Sequence, residues 1–298
     1  MTLDQESDVA REMERLRTTD LRAIEAAVVA KRRTWARQNL PVRGALGDFS
    51  PRQAYELLFR DYMGLPLAEL PVISESDREI VWMSKNECPT LEACRTLGMD
   101  TRSVCRSAYE KPVQAFLSQL DPRLRFIRDY EVIRPYAPHC LEKIVRLDFE
   151  WFMEQALEEA FLSRAEGNKG YGAVVVLGEN VLAKTHDTAT TEGDPSLHAE
   201  FKAIRQAVAV TGSADLCGIA LFSTCEPCPM CTGLAVWANL TTIVFGASIA
   251  DTARMGKSRI LVGAADIAER SPVALEVIGG VLKSRCEALY REAKERRP

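Results

Sequence analysis

The sequence predicts two architectures in one chain. Residues 1–145 read as an all-α domain, and residues 146–298 as a three-layer α/β/α domain with a five-stranded mixed sheet. Three observations carry this. Helix start and stop signals recur through the first half, with no strong period-2 alternation before residue 140. From about Leu147, apolar strand-like runs alternate with helical ones. Two polar motifs in the second half fall where strands hand over to helices, the usual address of a site in such a sheet.

In the first half, Val9, Met13, Leu16, Leu21, Ile24 and Val28 lie at roughly helical spacing, with Ser7 as a candidate cap. Ser50-Pro51 predicts a helix to about Met63, the serine capping and the proline in the first turn. Gly64-Leu65-Pro66 ends it. Further helices are predicted from Ser74 or Ser76 to Met83, from Pro89 to Leu97 with Gly98 as its stop, over Thr101–Ala108, over Pro112–Leu120, and over Pro122–Ile133. Cys88, Cys94, Cys105, His139 and Cys140 cluster loosely in sequence but match no compact zinc spacing. They read as reduced core cysteines, with a second metal site as the alternative.

In the second half, Phe149, Phe152, Met153, Ala156, Leu157, Ala160 and Phe161 outline an amphipathic helix. A hairpin follows, Tyr171–Leu177 and Val181–Thr185 about a Gly178-Glu179-Asn180 turn. A helix begins near His198. A strand at Gly218–Ser223, a cysteine-bearing helix to Asn239, a strand at Thr242–Ala247, a helix at Ile260–Glu269, a strand at Val273–Ile278 and a helix from Leu282 to Arg296 complete the set. Strands separated by helices should pair in parallel.

Composition narrows the setting. The 298 residues are 47% hydrophobic, ordinary for a globular protein, and no apolar run approaches the roughly 20 residues that span a bilayer. The polar N-terminus is no secretory signal, so a cytoplasmic setting is expected, with nine cysteines as thiols or metal ligands rather than disulfides. A net charge of −4 disfavours nucleic acid as a partner, although a local basic patch remains compatible with it.

The chemistry sits in Leu197-His198-Ala199-Glu200 and in Thr224-Cys225-Glu226-Pro227-Cys228-Pro229-Met230-Cys231. Cys228 and Cys231 at i and i+3 place both sulfurs on one side of a helix start, where the dipole favours thiolates. With His198 they make a Cys₂His set for Zn²⁺, with the fourth position open to water. Glu200 is the candidate proton carrier. A redox pair would leave His198 and Glu200 unused. A closed structural zinc site would recruit Cys225 as fourth ligand and leave Glu200 without a role.

The two motifs resemble the H-x-E and P-C-x-x-C signature of the zinc deaminases, and residues 147–298 resemble the cytidine deaminase superfamily. The cysteine stretch with Gly233 and Trp237 is most similar to bacterial-type guanine deaminases, with the tRNA adenosine deaminases next. The resemblance implies a hydrolytic aminohydrolase with zinc on His198, Cys228 and Cys231 and with Glu200 as proton shuttle. It also implies substrate contacts from the Ala199 N–H, Tyr171 and Trp237, and a homodimer. Where these families place an asparagine that reads the base edge, an ungapped count gives Asp187, an acceptor in place of a donor and acceptor. A shifted loop with a solvated Asp187 is the alternative. The acidic residues that guanine deaminases carry after the fourth strand have no match in Met255-Gly256-Lys257-Ser258-Arg259.

Three functions follow as expectations. The first is deamination of a free, guanine-like nucleobase or related amino-heterocycle. The second is deamination of adenosine in tRNA, the helical domain gripping RNA. The third is a non-catalytic binding protein with structural zinc.

Overall fold

The computed structural model describes residues 3–40, 49–273 and 275–295. The chain divides into two compact units, Met1–Leu147 and Asp148–Pro298.

The first unit is not all-α. Its helices are α1 (Leu3–Thr18), α2 (Leu21–Asn39), α3 (Pro51–Glu56), α4 (Pro89–Leu97), α5 (Thr101–Val104) and α6 (Glu110–Leu120), with π-helical turns after α3 and α5. They accompany a four-stranded antiparallel sheet, in the order β1 (Val72–Glu75), β2 (Glu79–Ser84), β4 (Cys140–Arg146), β3 (Leu124–Asp129). The helices expected over 74–83 and 122–133 are therefore corrected to a β1–β2 hairpin and strand β3. Polar side chains at core positions explain the misreading. On β2, Ile80, Trp82 and Ser84 point inward, while apolar Val81 and Met83 occupy the outer face and blur the alternation. On β4 the inward residues are Ile144 and Glu142, and the Glu142 carboxylate accepts from Trp82 Nε1 at 3.1 Å, from Ser84 Oγ at 2.5 Å and from Arg128 Nε at 2.7 Å. On β3 buried Arg125 donates to the Pro122 and Leu124 carbonyls. A period-2 pattern written partly in charged residues is invisible to hydropathy.

Other signals read correctly. Ser50 caps α3 in a reciprocal capping box with Gln53, with Pro51 in the first turn, and Gly98 ends α4 in the left-handed region. Ser7 lies inside α1, and the cap that separates the first two helices is Asp20, which accepts from the Arg22 N–H.

The second unit runs α7 (Phe149–Ala165), β5 (Gly172–Leu177), β6 (Asn180–His186), α8 (Ala199–Thr211), β7 (Ile219–Cys225), α9 (Pro229–Trp237), β8 (Thr242–Ala247), α10 (Ile249–Arg254), α11 (Ala264–Glu269), β9 (Glu276–Gly279) and α12 (Lys283–Glu295). Its sheet has the order β6-β5-β7-β8-β9. The hairpin β5–β6 and the pair β5–β7 are antiparallel, and β7–β8 and β8–β9 are parallel across helical crossovers. The last strand begins at Glu276; residue 274 of the run expected there, and Arg296 of the closing helix, lie outside the described residues.

Alternation along β7 sets the layers. Phe222 meets Phe149 and Phe152 of α7, and Thr224 Oγ1 accepts from Tyr290 Oη of α12 at 3.0 Å. Ser223, facing the other way, donates to Glu200 of α8. The sheet thus lies between α7 and α12 on one side and α8 on the other.

Candidate metal centre and its surroundings

His198 and Cys228 hold equivalent places. Each is the extended N-cap residue of a helix, α8 and α9, and neither spends its side chain on the cap. Pro229 opens α9 one residue later than the Pro227–Cys228 start expected, and Cys231 sits in its first turn. Two helix starts after strand ends therefore converge on one point.

Three donor atoms meet there. His198 Nδ1 is 3.6 Å from Cys228 Sγ and 3.6 Å from Cys231 Sγ, and the two sulfurs are 3.8 Å apart. A tetrahedral zinc with Zn–S of about 2.3 Å and Zn–N of about 2.0–2.1 Å needs donor separations of about 3.6 Å for S–N and about 3.8 Å for S–S. The donor set fits zinc in chemistry and in spacing. Among the described residues these three form the one group of His, Cys, Asp or Glu atoms close enough to hold a metal. Cys225 stands outside it: buried, with its thiol pushed up to about 12 by desolvation, its sulfur lies 3.6 Å from Arg259 Nη2. The cluster of Cys88, Cys94, Cys105, His139 and Cys140 forms no such group among the described residues, and burial pushes the Cys94 and Cys105 thiols up to about 11 and about 12.

The electrostatics suit thiolate ligands. The Cys228 thiol is held at about 4, chiefly by the hydrogen bond from Cys231 and further by His198; Cys231, the donor of that bond, is pushed up in exchange. The His198 imidazole is raised, mainly by its hydrogen bond to Cys228. Glu200, 5% exposed, has its Oε2 3.8 Å from Cys231 Sγ and its Oε1 2.9 Å from Ser223 Oγ. Burial raises its carboxyl above the usual range, the sense required of a group that must both take and give a proton near neutral pH.

The remaining candidates divide. Ala199, the first residue of α8, is buried, and its carbonyl accepts from Thr185 Oγ1 at 2.6 Å. Tyr171 is buried at the foot of β5, its ring 5.2 Å from that of Tyr290, with the Arg259 guanidinium 4.8 Å over its face and bonded to its hydroxyl. Asp187 is fully buried and not solvated. Trp237 is not brought to the others. It ends α9, six residues and about 9 Å of helix beyond Cys231, and is 84% exposed. It borders an apolar groove of about 380 Å³ with Ile204, Val208 and Leu234.

Sequence reasoning passed over two neighbours. Ser223 is one of two hydroxyls in a largely apolar strand, and Arg259 figured only as a basic residue where acidic ones were sought. Glu226, within the cysteine motif, braces the scaffold. Its two oxygens accept the N–H groups of Ile249 and Ala264, at the starts of α10 and α11, both at 2.8 Å.

The fold and this donor set define a zinc-binding deaminase domain, and a family model agrees: the cytidine and deoxycytidylate deaminase zinc-binding region matches residues 147–247. The chain belongs to this family, a zinc-dependent deaminase of the cytidine deaminase superfamily. It is 33% identical over 152 residues to the tRNA-specific adenosine deaminase of Bacillus subtilis (strain 168), a match covering 50% of this chain and 92% of that relative. It is 36% identical over 111 residues to the guanine deaminase of the same organism, covering 37% of this chain and 71% of the relative. A solved structure of guanine deaminase from Bacillus subtilis aligns at 35% identity and a TM-score of 0.35, over 37% of this chain and 71% of that one. Among the described residues no helix is long and apolar enough to cross a membrane.

Proposed function

We propose that the second unit hydrolyses the amine from a free, guanine-like nucleobase or a related amino-heterocycle, water replacing the amine as a carbonyl oxygen while ammonia leaves. The observation that carries this is Glu200, an acidic side chain buried within 3.8 Å of a metal-donor sulfur and steadied by Ser223. His198, Cys228 and Cys231 would hold the zinc, which would supply the Lewis acidity that makes water a nucleophile near neutral pH. Glu200 takes the proton from the attacking water and returns it to the departing amine. The Ala199 N–H and Tyr171 wall the bound ring, and Asp187 meets its edge.

A free base is preferred as substrate because the chain carries a net charge of −4, which opposes a polyanion. The second reading, an adenosine in tRNA with the first unit contacting RNA, is favoured by the match over 92% of a tRNA-specific relative. A structural-zinc binding protein accords poorly with a three-donor group from which Cys225 stands apart. Exposed Trp237 and its groove suit a surface between two copies of the chain, so a homodimer is part of the proposal.

The test is ammonia release by zinc-loaded protein over free purines, pyrimidines, nucleosides, pterins and triazines, with tRNA alongside. Glu200→Ala should keep zinc and lose at least about 10²-fold in rate. Full activity in that variant would refute the mechanism, and release from tRNA alone would select the second reading.

A further inference from the structure

Five acidic side chains are buried among the described residues: Asp121, Glu142, Asp187, Glu200 and Asp251. Four are answered by the protein. Asp121 pairs with Arg123, Glu142 with Arg128, and Asp251 with Lys283, while Glu200 accepts from Ser223. Asp187 alone has no hydrogen-bond partner on either carboxylate oxygen, although it is 0% exposed.

The backbone around it is fixed. Its N–H donates to the Tyr171 carbonyl at 3.0 Å, and its carbonyl accepts from Ser163 Oγ at 2.8 Å. The residue before it, His186, is gripped through both ring nitrogens, by Glu159 at 2.7 Å and Glu166 at 3.0 Å. The nearby ammonium of Lys202 is directed instead to Thr188 Oγ1, at 2.9 Å. The carboxylate is thus held inside and left unpaired. The next residue, Thr188, donates its N–H to the Leu197 carbonyl at 3.1 Å, which ties Asp187 to the segment that carries His198, so it belongs to the same site, yet it is not one of the metal donors.

A buried carboxylate without donors weakens the free fold, and such costs persist where binding uses them. An ionised carboxylate only accepts. It repels a ring carbonyl or a bare ring nitrogen and takes a pair of N–H groups in two charge-assisted bonds.

We infer that Asp187 sets the substrate class: an amino-heterocycle that, besides its scissile amine, turns an N–H donor edge of the amidine or guanidine type toward this carboxylate, and not a carbonyl edge. This rests on the deaminase reading of the site and narrows it.

The test separates binding from turnover. Zinc-loaded Glu200→Ala protein is titrated by calorimetry with 2,4-diaminopyrimidine, which when protonated at N1 presents its N1–H and 2-amine as a donor pair, and with cytosine, which keeps the N1–H and the 4-amine but carries a carbonyl at position 2. The diamine should bind about ten- to a hundredfold more tightly, the scale of a hydrogen bond to a charged group. Adding Asp187→Asn should erase or reverse that preference. This variant should retain zinc and melt no lower than its parent, because it removes an unpaired charge. Equal binding of the two probes, no binding of the diamine, a preference untouched by Asp187→Asn, or a lowered melting point with zinc retained would each overturn the inference. Ammonia release from the same probes by protein with Glu200 intact is the second arm. A preference that depends on Asp187 without release would keep the inference and sink the proposed turnover; release without such a preference would do the opposite.

Discussion

A single methyl group at Gly172 should loosen the whole wall on which the site is mounted. Gly172 opens β5, next to Tyr171 and opposite His186, and its N–H donates to Thr224 Oγ1 at 3.2 Å. A Cβ built there falls 2.0 Å from the Ala156 carbonyl oxygen, 2.5 Å from the Ala160 nitrogen and 2.9 Å from Glu159 Cβ. Ordinary contact begins near 3.4 Å, and the two closest atoms are helix backbone, which no rotamer change can move aside. In Gly172→Ala, helix α7 must retreat by more than an ångström. Phe149, Phe152, Met153, Ala156, Leu157 and Ala160 would retreat with it and lose close contact with the sheet. A gap of about 0.5–1 Å already forfeits a quarter to a half of the dispersion attraction. The cost therefore belongs at or above the top of the usual overpacking range, about 3 kcal/mol. For a unit of about 150 residues, that lowers Tm by about 6–12 °C. Thermal unfolding followed by circular dichroism, with zinc release recorded in parallel, reads the effect. A Tm within about 2 °C of the parent would refute the claim that α7 and β5 meet this closely.

Three further outcomes are expected. Trp237→Ser should weaken self-association in sedimentation equilibrium and leave KM unchanged, because the side chain stands apart from the donor group; a raised KM would return Trp237 to the substrate wall. Glu142→Gln strips the buried partner of Arg128 and should cost the first unit about 3–5 kcal/mol in urea unfolding, with the fluorescence of Trp82, which donates to that carboxylate, as reporter. Lys283, with help from Ser248, holds the Asp251 carboxyl at about 2. A depressed carboxyl contributes stability above its ordinary pKa near 3.8 and loses it as pH falls through about 2, so Lys283→Gln should move the acid-unfolding midpoint to higher pH.

The metal centre was legible because its chemistry is local. Cys228 and Cys231 share a first helical turn, His198 and Glu200 lie two residues apart, and the two segments needed only the strand–helix alternation around them to meet. The parallel order β7-β8-β9 followed from the same alternation. The four-stranded sheet of the first unit was hidden because its inner face includes Ser84, Arg128 and Glu142. Those polar residues are satisfied by partners as much as sixty positions away, so no local pattern announces them. Trp237 stands apart from the donor group for a related reason: closeness in sequence to Cys231 says nothing about what lies beyond the end of α9. Asp187 is the sharpest case. The amino-acid order supplied an acidic residue near a site. Only the tertiary structure decided that it is buried and that the protein offers it no donor, because burial and pairing are set by groups from α7, β5 and α8 that the chain brings together only when folded.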